Sequence, residues 1–313
     1  MKSVLIKRFL LACFLIVAAS ALTFALVAAA PGNVAALIAE RAAGPGADAE
    51  MIRKIGDELG LYDPLPLRYA RWLASAATGD LGVSLRTGKP VAEEFAARIP
   101  MTAALLGGGG LIAFLLSLTL GIAGAASNGR LADRVIHGFS LVGASTPNFF
   151  VAALLVIVFS VTLGWLPTFG TSGFQSWLLP WATIALFPAS VLSRVVRVNL
   201  QEAMSRPFAT TGFAKGYTRS SVLLREALPN IAIPYLTTFG AQFTLMIIGS
   251  IVVETVFALR GVGAFFIDAI RFRDFVGMQS TLLLFIIFFV MTNLLVDIIC
   301  MLVDPRIRRA RSA

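Results

Sequence analysis

The stretch Phe213-Ala214-Lys215-Gly216, with Leu228-Pro229 further along the chain, lies in a basic, polar segment between two long apolar runs. The segment covers about 200–230. Pro207 precedes Phe213-Ala214-Lys215-Gly216, and Pro229 follows it. Prolines at these two positions predict a helix-turn-helix between them. A polar helical hairpin between runs long enough to cross a bilayer indicates a membrane-spanning chain with a structured element outside the lipid.

The composition is that of a polytopic helical membrane protein. Hydrophobic residues make up 58% of the 313 residues and charged residues 14%, which is about half the charged fraction of an ordinary soluble domain. A net charge of +9 is also typical of nucleic-acid-binding proteins. Here the basic excess is confined to short segments between apolar runs, so we expect no nucleic-acid partner.

Six apolar runs reach the roughly 20 residues that a 30 Å hydrocarbon core requires. Prolines Pro180 and Pro188 interrupt the fourth, and they need neighbouring helices or side chains to satisfy the freed carbonyls. A cleaved signal peptide is the alternative for the first run, because Ala28-Ala29-Ala30 resembles a cleavage site; its length and Pro31 favour an uncleaved helix. The runs lie at about 9–30, 101–127, 135–163, 176–193, 231–257 and 278–303.

The distribution of charge predicts the orientation of these spans. With the N-terminus in the cytoplasm, the strongly basic pieces all fall on the cytoplasmic side, and the outer loops are neutral or slightly acidic. This follows the positive-inside rule and places both termini in the cytoplasm, with the chain in the inner membrane. We expect an N-terminal tail with the first span (1–30), an extracytoplasmic subdomain (31–100), a five-helix core that carries the segment 200–230 (101–304) and a basic cytoplasmic tail (305–313).

The expected extracytoplasmic subdomain is too polar to span a membrane. Its middle, about 51–75, has the periodicity of an amphipathic helix. Gly44-Pro45-Gly46 and Asp63-Pro64-Leu65-Pro66 break it into pieces. We expect Tyr69 and Trp72 to rest at the membrane interface, where such amphipathic rings are enriched.

Three features inside the spans have both a structural and a functional interpretation. Gly107 to Gly110 let another helix approach closely, and tight packing is favoured over a hinge. Glu254 lies toward the outer end of its span; a hydrogen-bonded structural role is favoured over a role as a pore or gate residue, and both stay open. For Asp297, near the cytoplasmic end of the last span, we expect pairing with a neighbouring subunit or with tail arginines.

The sequence contains few residues of the types that carry out catalysis or bind metals. His137 is the only histidine, and Cys13 and Cys300 lie in separate apolar runs without metal-ligand spacing. The sequence contains no Gly-rich phosphate loop followed by Lys-Ser or Lys-Thr. We therefore expect no catalytic residue, no metal and no cofactor, and we expect that the chain is not an enzyme.

The segment 200–230 resembles the loop by which permease subunits of ABC importers dock onto their ATPases. That loop reads Glu-Ala-Ala, three residues, Gly, nine residues, Ile, any residue, Leu-Pro. Aligned on Gly216, its Leu-Pro falls on Leu228-Pro229 without a gap. Thr210 takes the acidic position and Glu226 the Ile position; loss of the acidic residue is typical of the peptide-permease branch.

The resemblance extends over nearly the whole chain and points to the dipeptide/oligopeptide/nickel permease family, B-type subunit. Its marks are short motifs whose order and spacing together are specific. They include Leu59-Gly60-Leu61-Tyr62-Asp63-Pro64, Gly79-Asp80-Leu81-Gly82-Val83-Ser84, Arg98-Ile99-Pro100-Met101-Thr102, Ser145-Thr146-Pro147-Asn148, Val253-Glu254-Thr255 and Asp304-Pro305-Arg306.

This resemblance implies an all-α polytopic fold of six transmembrane helices, the type I ABC importer permease fold. It implies a heterodimer with a homologous C-type permease subunit, two cytoplasmic ABC ATPase subunits that hydrolyse ATP, and an extracytoplasmic substrate-binding protein. The chain would form half of a pore through the lipid membrane for peptides or a similar small solute. The resemblance assigns ATPase coupling to Thr210, Thr211, Gly212, Phe213, Ala214, Lys215, Gly216, Leu228 and Pro229.

A secondary transporter driven by an ion gradient is the alternative function. It predicts broken helices in two symmetric halves and several intramembrane carboxylates, and the sequence shows neither clearly. An intramembrane protease is a third hypothesis. It would need a histidine in mid-span, whereas His137 lies at the expected cytoplasmic start of the third span.

Overall fold

The computed structural model describes residues 2–29, 34–44, 46–127, 129, 131–170 and 173–303. Within these ranges the fold is all-α, as predicted, and the extended pairing is limited to one isolated bridge between Val83 and Pro90. The helices are α1 (Lys2–Ala29), α2 (Val34–Ala43), α3 (Ala49–Glu58), α4 (Leu65–Ala77), α5 (Val91–Ser127), α6 (Leu131–Ser145), α7 (Asn148–Leu155), α8 (Gln175–Met204), α9 (Pro207–Ala214), α10 (Arg219–Val222), α11 (Leu228–Asn230), α12 (Ala232–Val256), α13 (Val262–Arg271) and α14 (Phe275–Val303).

Five helices of the described chain are long and apolar enough to cross a membrane, namely α1, α5, α8, α12 and α14. They correspond to five of the six predicted spans. The fourth predicted span corresponds to α8, which continues without a break through Pro180 and Pro188 and is longer than predicted. The predicted tail 305–313 and the Pro31-Gly32 end of the first span lie outside the described residues.

The third predicted span, 135–163, is not one straight helix. It is divided into α6 and a second arm, Asn148–Thr162, in which α7 continues as the π-helix Val156–Thr162, and the two arms meet at an angle of 110°. The cause is Pro147, the N-cap of α7, because a proline disfavours helical geometry in the residue before it. The described part of the chain has six candidate spans only when this bent pair is counted as one.

Two compact units make up the chain. One comprises Met1–Arg8, Met101–Ala264 and Met291–Ala313, and the other comprises Phe9–Pro100 and Phe265–Val290. The polar region 31–100 therefore groups with most of α1 and with the segment around α13, rather than standing alone. The boundaries predicted for the subdomain and the core stay predictions.

In the first unit, α8 lies at the centre of the packing. Small residues of α5 let it approach: a side chain at Gly108 would overlap Trp181, and one at Gly109 would overlap Ile184. A side chain at Gly110 would come within 2.8 Å of the Phe243 ring of α12. Tight packing is therefore confirmed for these three glycines, whereas the space beside Gly107 is open.

In the second unit, α4 packs on α1 through aromatic rings. The hydroxyl of Tyr69 donates to the carbonyl of Val17 at 2.9 Å, and the Phe24 ring lies 5.6 Å from the rings of Tyr69 and Trp72. The predicted break at Asp63–Pro66 is confirmed, since α3 ends at Glu58 and α4 begins at Leu65. Tyr69 and Trp72 thus have a packing role on the first span.

Candidate functional site

The segment predicted as a coupling loop, residues 200–230, is a helical hairpin. After α8 ends at Met204, α9 begins with Pro207 at its first position and ends at Ala214. The chain then turns, and Thr218 caps α10 by accepting a hydrogen bond from the N–H of Ser221. The predicted helix-turn-helix is confirmed, and we refer to residues 200–230 as the coupling loop.

Gly216 forms the turn of this hairpin in the left-handed conformation, with a φ of +83°. Its N–H donates to the carbonyl of Phe213, and the N–H of Tyr217 donates to the carbonyl of Gly212. These two bonds form a Schellman motif, which ends a helix by satisfying its last carbonyls. Glycine reaches this conformation without steric penalty, so the tight turn predicted for Gly216 is confirmed.

The underside of the coupling loop is buried against α8. Val222, Leu223 and Ala227 are almost wholly inaccessible to solvent. Leu223 and Ala227 share an apolar cluster with Leu200 and Ala203 of α8. A side chain at the buried Gly212 would come within 3.1 Å of Val222, so only a small residue fits between α9 and α10.

The tip of the coupling loop is exposed. Of the predicted coupling residues, Gly212 is buried and Leu228 half-buried. The rings of Phe213 and Tyr217 are 43% and 42% exposed, which is unusual for aromatic side chains without a membrane or a partner to cover them. The exposed coupling residues are Thr210, Thr211, Phe213, Ala214, Lys215, Gly216 and Pro229.

Leu228-Pro229 closes the hairpin through a widened helical turn. Proline has no N–H, and its ring clashes with the carbonyl four residues earlier, here Arg225. The preceding segment Leu223–Ala227 is a π-helix, in which the N–H of Leu228 donates to the carbonyl of Leu223. The widened turn accommodates the proline ring and joins the coupling loop to α12.

Glu254, the candidate pore or gate residue, is fully buried. The Thr102 hydroxyl donates to its Oε1 at 2.7 Å, and the N–H of Ala264 donates to its Oε2 at 2.9 Å. Thr102 in turn accepts from the N–H of Val262 at 2.9 Å. The carboxylate and the threonine thus satisfy N–H groups at the start of α13, which is the hydrogen-bonded structural role that the sequence favours.

Two charged pairs lie outside the predicted site. Asp133 is buried, and its oxygens accept bidentate hydrogen bonds from Arg197 of α8 at 2.5 and 2.7 Å. Asp297 pairs with Arg8, whereas the tail arginines predicted for it lie outside the described residues. Sequence reasoning missed the Asp133–Arg197 pair; the only signal was an acid among the basic residues before the third span.

The comparisons with known proteins cover almost the whole chain. Residues 117–309 match the family described as binding-protein-dependent transport system inner membrane component. Residues 1–106 match the N-terminal domain of the membrane components of the same transport systems.

Curated relatives and a solved structure agree with this match. The glutathione transport system permease protein GsiC of Escherichia coli O6:H1 is 37% identical over 289 residues, 92% of this chain and 93% of the relative. GsiC of Salmonella paratyphi A is 37% identical over 287 residues, 92% of each chain. A chain of the inward-facing MetNI methionine ABC transporter shares the fold, with a TM-score of 0.56 and 16% identity over 67% of this chain and 96% of that one.

Together, these matches establish a multi-pass permease of the inner membrane and do not favour the ion-driven alternative. The chain belongs to the family of binding-protein-dependent transport system inner membrane components and is a permease subunit of an ABC importer.

Proposed function

We propose that the chain forms half of the translocation pore for glutathione or a similar short peptide, and that the coupling loop docks a cytoplasmic ATPase. The observation that carries this proposal is the construction of the coupling loop. Its tip, including Phe213 and Lys215, is exposed, while its underside is fixed to α8 by buried side chains. A protruding rigid helix can fill a groove on a partner and transmit force, whereas a simple connector needs neither property.

The remaining partners follow from the family. The second half of the pore is a homologous C-type permease, each permease docks one ATPase, and a binding protein delivers the solute outside. Apolar side chains of α12, such as Leu245 and Ile248, are 50% and 65% exposed in the single chain. Exposed apolar residues on a membrane helix require lipid or another helix beside them, which supports an assembly inside the bilayer.

The substrate class rests on the relatives. Both GsiC proteins are named as glutathione permeases, and their 37% identity covers nearly the whole length of this chain. Glutathione is a tripeptide with two free carboxylates, so a short peptide-like acid is the solute class that we propose. ATP binding closes the two ATPases, the tip around Ala214-Lys215-Gly216 moves with them, and the pore opens to the outside.

A reconstitution experiment tests this function. The purified chain alone should hydrolyse no ATP above background, because its sequence contains no phosphate-binding loop. In proteoliposomes, the chain with its C-type partner, two ATPases and a binding protein should take up labelled glutathione only when ATP is present. Uptake that instead follows an imposed ion gradient without ATP would contradict the proposed mechanism.

Reporter fusions test the orientation that we propose, with both termini in the cytoplasm. A fusion after Gly82 should report an extracytoplasmic position, and a fusion after Arg219 a cytoplasmic one. The expectation follows from the basic excess on the coupling-loop side. Alkaline phosphatase and green fluorescent protein serve as the paired reporters, since the first is active only outside and the second only inside. A cytoplasmic signal from the Gly82 fusion would show that the six-span arrangement is wrong.

A further inference from the structure

In the first unit, α6 packs on α8 along a strip of small and polar residues, which we call the α6–α8 seam. Ascending positions of α6 meet descending positions of α8, so the two helices run in opposite directions. On each helix the contributing residues recur at intervals of three, four or seven, the spacing of one helical face. The paired positions are Asp133 with Arg197, Ser140 with Ser193, and Gly143 with Ser190.

The first of these pairs holds the seam at the loop end of α8. Both oxygens of the buried Asp133 accept hydrogen bonds from the guanidinium of Arg197, at 2.5 and 2.7 Å. The N–H of Gly129, in the turn before α6, donates to the same carboxylate at 3.0 Å. A Cβ at Gly124 of α5 would come within 3.1 Å of the arginine side chain. A bidentate ion pair fixes orientation as well as distance, so this pair determines how α6 is rotated relative to α8.

The other two pairs fix the position of α6 along α8. The hydroxyls of Ser140 and Ser193 are both buried and lie within hydrogen-bond distance, at 2.8 Å. A Cβ at Gly143 would lie 2.1 Å from the Oγ of Ser190, so only glycine fits at this point. Positions 133 and 143 are about 15 Å apart along the helix, and the register of α6 on α8 is therefore set over that length.

Polar contacts attach α6, whereas apolar contacts attach the coupling loop. The apolar cluster that contains Leu223 and Ala227 has described members from α5, α8, the coupling loop and α12, and none from α6. Apolar contacts are non-directional, so they permit one helix to rotate against another. A bidentate ion pair does not permit this rotation without breaking. The Asp133–Arg197 pair is thus the contact that makes α6 follow the end of α8.

We propose that Asp133 is a positioning residue of the transport cycle, which holds α6 in register with α8 through Arg197, so that α6 follows every displacement of the coupling loop. The inference rests on the proposed function, because it requires a coupling loop that is moved by an ATPase. A pair that only stabilises the fold would change the yield and the thermal stability of the complex. It would leave unchanged the amount of solute imported per ATP in the complexes that assemble.

A matched pair of arginine variants tests this role in the reconstituted complex. We expect Arg197→Gln to lower the glutathione imported per ATP hydrolysed at least about tenfold, the equivalent of one charge-assisted hydrogen bond. The ATPases should still copurify, because Leu223 and Ala227 keep their own contacts with α8. Arg134→Gln removes an exposed arginine next to Asp133 and should keep the wild-type ratio.

A disulfide between the two helices tests whether the seam acts by keeping their register. In a chain with Cys13 and Cys300 replaced by serine, Ser140→Cys and Ser193→Cys place two thiols within reach of each other. We expect oxidation to leave the solute imported per ATP unchanged, because α6 and α8 do not move past each other. In the Arg197→Gln background, oxidation should restore the lost ratio, and a reducing agent should reverse the rescue. A fold that is merely destabilised would not gain coupling in this reversible way.

A second replacement covers the case in which Arg197→Gln fails to assemble, since it leaves Asp133 buried without its partner. Asp133→Leu combined with Arg197→Met replaces the pair by apolar side chains, which often preserves stability. This double variant lacks the directional bond, so it should assemble and show the same low ratio of solute to ATP. Failure of both variants to assemble would mean that the pair serves folding alone, and would overturn the proposal.

The remaining outcomes separate this proposal from the proposed function. An assembled Arg197→Gln complex or an assembled double variant with the wild-type ratio would overturn the positioning role. So would a disulfide that stops uptake in the otherwise unaltered chain, because the two helices would then have to move past each other, and so would a low ratio that oxidation does not restore. A wild-type complex that hydrolyses no ATP or imports no glutathione refutes the proposed function instead.

Discussion

Gly216→Glu is expected to abolish transport and to release the ATPases while the chain stays in the membrane. A Cβ at Gly216 meets no atom of this chain within 4 Å, so the new side chain conflicts only with a docked partner. The left-handed φ of +83° adds a local cost of about 1–2 kcal/mol for any residue with a side chain. The added negative charge also lowers the net positive charge of the tip, which Lys215 and Arg219 supply.

The measurement is the yield of ATPases that copurify with each variant, together with solute uptake. Gly79→Glu is the matched control: its φ is +89°, it is exposed, and a Cβ there also meets nothing within 4 Å. It introduces the same side chain and a similar backbone cost outside the coupling loop, and it should keep full ATPase recovery. Normal recovery and normal uptake in Gly216→Glu would mean that the loop is an ordinary basic connector.

Glu254→Ala is expected to destabilise the permease severely. The substitution leaves the Thr102 hydroxyl and the N–H of Ala264 without their acceptor in a buried site. Each such loss costs about 1–3 kcal/mol, and the removed side chain leaves a cavity against Gly261 and Gly263. We expect a marked fall in the midpoint of thermal unfolding of the purified complex and a low yield in membranes.

Two further variants make the interpretation specific. Glu93→Ala removes an exposed glutamate near the start of α5 and should change the unfolding midpoint little. Glu254→Gln keeps the shape and one acceptor oxygen, so it should recover part of the lost stability and leave ATPase docking intact. If Glu254→Ala unfolds at the wild-type temperature but transports abnormally, Glu254 is a gate residue and the structural role is refuted.

The elements that depend on local pattern could be predicted from the sequence. Runs without charge gave the positions of α1, α5, α8, α12 and α14, because membrane length constrains them directly. The positions of Pro207, Gly216 and Pro229 located the helical hairpin, and the conformation of Gly216 followed from the need for a tight turn. These features are encoded within a few turns of chain.

The features that were missed depend on distant residues or on one proline. Ser145-Thr146-Pro147-Asn148 lowers the hydropathy only briefly and contains no charge, so the prediction joined two helices that meet at 110° into one span. Thr102 and Glu254 are separated by 152 positions, and Asp133 and Arg197 by 64. Pairs of this kind are brought together by helix packing, which a single sequence does not display.

The attachment of the coupling loop to α8 has a mechanical consequence. Because Leu223 and Ala227 are embedded against Leu200 and Ala203, the hairpin and the end of α8 behave as one lever arm. With its 30 residues, α8 is about 45 Å long, so a tilt of about 5° would displace its far end by about 4 Å. A small rotation at the loop end would thus be amplified into a displacement larger than the width of a water molecule at the opposite end. Asp133, bonded to Arg197 near the loop end of α8, lies where such a lever would have its fulcrum.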